Sequence, residues 1–180
     1  MRLNRFFACA AIILAALLSA PAGGASAATR YKVFVSHGYN YRIAYAASWK
    51  HQDIPGGQDT YEVFTAPAVQ GPKGPYRASV SILVERAPAG MSLAAFVKTL
   101  VPTTATSRVH VDRQVATHVA GQGAVLLYGT VAGQVTTRFI NAVFLARGET
   151  WRIILVTLPN RLKADQPILM HMLGSLRLGS

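Results

Sequence analysis

Residues 39–50 read YNYRIAYAASWK. Tyr39, Tyr41, Ile43 and Tyr45 alternate with Asn40, Arg42 and Ala44. A strand has a side-chain period of two, so this pattern sets an aromatic row on one face and a polar or small row on the other. Trp49 breaks the phase after Ala46-Ala47-Ser48. The expectation is a half-buried strand whose tyrosines pack a core, with Trp49 closing one end of it. The competing use of the same row is an aromatic, ligand-facing stripe. Large rings with a polar rim serve packing first.

Upstream, Tyr31–Val35 (YKVFV) reads as a short strand and Ser36-His37-Gly38 as a turn. Further upstream, Arg2 and Arg5 precede an apolar run, Phe6–Leu18, and then Pro21, Gly23-Gly24 and Ala25-Ser26-Ala27. That order predicts a secretory signal peptide over 1–27, with cleavage after Ala27 or Ala28 fitting equally well. The run is shorter than the about 20 residues of a membrane span. Cys9, the single cysteine, lies at the front of this segment, which does not suit a lipid-attachment site. Residues 28–180 then form one domain without thiol chemistry, expected to be a monomer when free.

The chain carries 18 Lys+Arg against 7 Asp+Glu, a net charge of +11, of which Arg2 and Arg5 leave with the leader. Such an excess favours acidic partners or anionic surfaces. The cations are scattered singly rather than in a run or a finger pattern, and export removes the protein from cellular nucleic acid, so nucleic-acid binding is not expected.

Downstream, His51–Asp59 (HQDIPGGQD) and Ala66–Pro75 read as loops around a strand at Tyr61–Thr65. Arg77–Glu85 is a regular strand with Ala78, Val80, Ile82 and Val84 on one face. Ser92 caps a predicted helix, LAAFVKTLV, whose Leu93, Phe96, Val97 and Leu100 share a face. Val109–Val119 predicts one imperfect strand, followed by strands at Ala124–Thr130, Val135–Ala146 and Trp151–Leu158. The short connections between the last three demand antiparallel neighbours. Asn160 is expected to cap a final helix beginning near Arg161 or, because of Pro167, nearer Ala164; Gly174 is expected to end it, with Leu176 and Leu178 tying down the tail. The sum is an antiparallel sheet of about six or seven strands with one internal and one C-terminal helix.

In order and spacing these pieces resemble the PsbP-like family, which shares its fold with the Mog1 proteins. The resemblance rests on Gly38-Tyr39, Tyr41, Ile43, Tyr45 and Trp49 in the opening, and on Ser81, Ile82 and Val84 before the helix Ser92–Phe96. Arg147, Gly148, Glu149, Trp151 and Leu155 carry it in the last hairpin, and Leu173, Ser175 and Leu176 at the close. It covers Tyr31–Leu178. Two positions depart from it: Ala46 stands where relatives carry proline, leaving the turn before Trp49 to be held by packing alone, and Leu176 replaces a phenylalanine. The resemblance implies an α/β/α sandwich with a central antiparallel sheet (α+β, Mog1/PsbP-like). It also implies a non-enzymatic extrinsic or assembly protein of a membrane complex. The best-known members act at the lumenal face of photosystem II, where they help retain calcium and chloride. A thylakoid-lumenal or periplasmic location follows. The alternative is a periplasmic or secreted small-ligand or protein-binding module of the same fold in an organism without photosynthesis.

Catalytic motifs do not stand out: the chain has no G-x-S-x-G, no phosphate loop and no pair of acids at a working spacing, so an exported hydrolase trails. Two places suit a divalent metal (zinc, manganese or calcium). His110 and Asp112 share a strand face, with His118 joining them if the strand is regular; His51, Asp53 and Asp59 share a loop. Arg42, Lys50, Lys73, Arg77 and Arg86 are candidates for one basic docking face.

Overall fold

The computed structural model describes residues 29–53, 60–102 and 106–179; the leader expected over 1–27 lies outside them. Twelve strands and two α-helices are described in three sheets. The largest is antiparallel throughout and has seven strands in the order β3 (Lys50–Asp53), β4 (Thr60–Thr65), β7 (Ser79–Arg86), β11 (Glu149–Thr157), β10 (Thr137–Ala146), β9 (Gln122–Val131) and β8 (Val109–Val119). A second sheet joins β1 (Tyr31–Ser36), β2 (Tyr41–Ala46) and β12 (Arg177–Leu178), and a third is the hairpin β5 (Val69–Gly71) and β6 (Gly74–Tyr76). Helix α1 (Leu93–Leu100) covers one face of the large sheet; α2 (Leu162–Ser175) and the β1–β2–β12 sheet cover the other. This is the predicted sandwich.

The opening stretch works as a packing element. Tyr41 and Ile43 are buried, and Tyr45 is half-buried with its ring 4.9 Å from that of Phe64. Tyr39 lies in the turn before β2 rather than in it, edge-on to Trp151. Trp49 is buried at the end of the core. The turn before it is held by hydrogen bonds as well as packing: Trp49 N–H donates to Ala46 O at 2.9 Å and Ala47 N–H to Arg30 O at 2.8 Å.

Face alternation decides the rest of the main core. Val80, Ile82 and Val84 of β7 meet Ile153 and Leu155 of β11 and Ile140, Ala142 and Phe144 of β10 in one cluster, capped by Leu169, Met172, Leu173 and Leu176. Phe96 and Val97 of α1 pack against Leu127, Phe139 and Val143 on the opposite face. Ser92 caps α1 as expected, its Oγ accepting from Ala95 N–H at 3.1 Å. The β10–β11 connection is a two-residue turn, Arg147-Gly148, both at positive φ, the geometry that matches strand twist in tight hairpins.

Five local expectations need correction. Lys50–Asp53 is a strand, not the start of a loop; pairing with β4 overrides its weak strand propensity. The Ala66–Pro75 segment contains the β5–β6 hairpin. Asn160 does not cap α2: a 3-10 turn, Pro159–Arg161, leads straight into the helix, and no side chain caps it. Pro167 sits inside α2, past its first turn and on the exposed side, and Gly174 does not end the helix. Instead Ser175 closes it, its Oγ accepting from Ala44 N–H at 2.8 Å and so tying α2 to β2.

Candidate functional site

His110 and Asp112 do meet, with Nε2 3.5 Å from Oδ1, but Asp112 is also paired with Arg138 of β10, Nη1 to Oδ2 at 2.8 Å. A register shift between Val111 and Arg113 breaks β8. Val109 and Val111 pack with the α1 cluster, whereas Val115 and Val119 pack with the main core. The bulge therefore reverses the phase of the strand. Gly129 accommodates it, because a Cβ there would sit 2.1 Å from His110 O. His118, opposite Gly123, leaves the row of His110 and lies roughly 25 Å along the strand at about 3.3 Å per residue. The three-residue set is not assembled.

The second set also separates. His51 turns to Glu62 of β4, Nε2 to Oε2 at 2.6 Å, between the rings of Phe34 and Phe64. Asp53 ends β3 with its backbone opposite Glu62, and Asp59 lies outside the described residues. Among the described residues, no three His, Cys, Asp or Glu side chains converge as a metal site.

The basic residues fall into two regions and an outlier. Arg77 precedes β7 and Arg86 ends it, so the two lie roughly 30 Å apart at about 3.3 Å per residue. Arg42 projects from the small sheet beside Val35 and Arg177. Lys50, Lys73 and Arg77, by contrast, gather at the end closed by Trp49. Lys50 follows Trp49, Lys73 is in the β5–β6 turn, and Arg77 donates from Nη1 to Ala66 O at 3.2 Å.

That end contains a pocket of about 220 Å³, lined by Trp49, Ala66, Val69, Tyr76, Ala78 and Ile168 with Ser48, Thr157, Arg161 and Asp165. Its floor is a carboxylate: Asp165 is 2% exposed. Thr157 Oγ1 donates to its Oδ2 at 2.5 Å, and Arg161 Nη2 donates to its Oδ1 at 3.3 Å. Arg161 itself is 42% exposed. Burial, and then the negative charge of Asp165, push the Tyr76 phenol above its ordinary value of 10.0, so Tyr76 stays neutral and able to donate. Residue-level reading of the sequence missed Tyr76, Thr157, Arg161 and Asp165. The signal was present for Asp165, which follows Leu162 by three and precedes Leu169 by four, on the apolar side of its helix.

A larger groove, about 600 Å³, lies between the β8–β9 turn and the C-terminal strand, lined by His118, Arg147, Leu173 and Arg177 among others. Its guanidinium groups serve the fold: Arg147 donates to Tyr39 O and Gly179 O, and Arg177 to Gly174 O and Leu176 O. The Trp49 pocket combines aromatic walls with a buried charge. Among the described residues, no helix is long and apolar enough to cross a membrane.

No family model and no curated protein matches the sequence. Solved structures do. The chain is similar to cyanobacterial PsbP from Synechocystis sp. PCC 6803, with 16% identity and a TM-score of 0.60 over 89% of this chain and 98% of that one. It is similar to the Ran-binding protein Mog1p of Saccharomyces cerevisiae, with 11% identity and a TM-score of 0.59 over 83% and 96%. It is also similar to LpqN of Mycobacterium tuberculosis, described as involved in cell envelope biogenesis, with 9% identity and a TM-score of 0.53 over 87% and 88%. At these identities the likeness concerns the fold, and nearly the full length of each neighbour takes part. The chain has the Mog1/PsbP-like fold.

Proposed function

We propose that the protein is an exported, non-enzymatic binding module that holds a small ligand in the pocket beneath Trp49. The carrying observation is that pocket: flat aromatic and aliphatic walls around a few fixed polar groups are the usual make-up of a ligand site. Asp165, the carboxylate of the cavity, is engaged by Thr157 and Arg161. Export is supported by the order of charges, apolar run and small residues in positions 2–27.

A thermal-shift screen of small metabolites tests this reading against Ile168→Trp, which fills the pocket from the half-exposed side of α2. Compounds that raise the melting temperature of the wild type and not of Ile168→Trp are expected. No stabilising compound, or equal stabilisation of both proteins, contradicts it.

A second reading follows from the sequence resemblance to the PsbP-like family: docking to photosystem II or another membrane complex through basic residues. Purification from native membranes separates the two. Stoichiometric recovery with a membrane complex supports docking; recovery as a free monomer supports the ligand module.

A further inference from the structure

The polar groups around the Trp49 pocket are unequal in kind. Trp49 is a donor only, Tyr76 is held neutral and able to donate, Ser48 carries a hydroxyl, and Arg161 has N–H groups beyond the one given to Asp165. Each Asp165 oxygen already holds a donor, the Thr157 hydroxyl on one and the Arg161 guanidinium on the other. The carboxylate thereby holds the guanidinium in place. A guanidinium held in this way presents a planar donor edge suited to a second carboxylate. Lys50 and Arg77 adjoin lining residues in sequence, Lys73 is in the β5–β6 turn, and the chain keeps a positive excess once Arg2 and Arg5 are gone. That field draws anions toward the cleft.

Size limits the ligand further. At about 220 Å³ the cavity is below the roughly 300–1,000 Å³ of sites for drug-sized molecules. It has room for one ring with a short substituent, and Trp49, Tyr76, Val69 and Ile168 supply apolar contact.

We propose that the pocket takes a small carboxylic acid with a single apolar or aromatic ring, the carboxylate on Arg161 and the ring between Trp49 and Tyr76. This rests on the ligand-module reading and adds the sign of the ligand's charge to it. Arg161 is then the specificity-determining residue, and Asp165 positions it.

Benzoate, benzamide and benzylamine share a ring and differ in charge. Calorimetric titration of the protein with each is expected to show benzoate binding best. Arg161→Gln keeps a donor for Asp165 but removes the charge, and is expected to weaken benzoate about tenfold or more and benzamide by clearly less. Unaltered benzoate affinity in Arg161→Gln overturns the proposal. So does a preference for benzylamine that strengthens in Arg161→Gln, although that result leaves the pocket as a ligand site. Binding of none of the three, with stabilising compounds still found in the wider screen, overturns the anionic ligand alone. Binding of none, with an empty screen, overturns the ligand module as well.

Discussion

Asp165 is an acid on the apolar side of its helix, and such a residue has to be satisfied where it lies. Thr157 and Arg161 do this, from the end of β11 and the turn that follows it. Thr157→Val leaves one carboxylate oxygen without its donor at nearly constant volume. The expected loss of stability is about 1–3 kcal/mol in urea unfolding; an unchanged midpoint contradicts the arrangement. Tyr76 supplies a pH signature. Its folded pKa is raised above the unfolded 10.0, so the neutral phenol is favoured in the folded state. The contribution is complete below the unfolded value and is lost as pH climbs through the folded one. Melting temperatures between about pH 9 and 11.5 should fall less steeply for Tyr76→Phe than for wild type; parallel curves contradict the shift. None of these contacts was legible beforehand except the misplaced acid, because Tyr76 and Thr157 reach it only through tertiary folding.

At the scale of the element, strands and the first helix were legible because period and caps are local properties. Val109–Val119 was recognised with its irregularity but not with the consequence of it. A bulge at Asp112 reverses which valines face which cluster, and with them His118. Lys50–Asp53 escaped notice because nothing in its composition asks for a strand; its partner β4 does. The start of α2 was read near Arg161, but its cap was not, because a 3-10 turn stands in place of the side-chain cap expected from Asn160. Where the cap was read correctly, it can be tested. Ser92→Ala removes the bond to Ala95 N–H, and a cost of about 1 kcal/mol is expected from denaturant unfolding. No measurable cost would place the stability of α1 in its buried Phe96 and Val97 alone.

For the whole molecule, the sheet order brings together segments distant in sequence. The turn after β2, the β5–β6 hairpin and α2 meet at one end of the core, and each gives side chains to the same pocket. The antiparallel neighbours β9–β10–β11 could be read from their short connections, but this convergence could not, since it depends on how the small sheet and α2 lie over the large one. The basic residues follow the same rule: Lys50 and Arg77 adjoin lining residues in sequence and Lys73 is in the hairpin that supplies Val69 and Tyr76, whereas Arg42 lies in β2 and Arg86 ends β7. Fold likeness to proteins as different as a cyanobacterial PsbP and a yeast Ran-binding protein leaves function to be decided at the site. The most direct measurement is amide and indole chemical-shift mapping of the isotope-labelled protein during titration with benzoate. Binding in the pocket predicts saturable shifts concentrated at the Trp49 indole, Ala66, Tyr76, Ala164 and Asp165. Shifts that are absent, or that gather instead around Arg42 and Val35, contradict it.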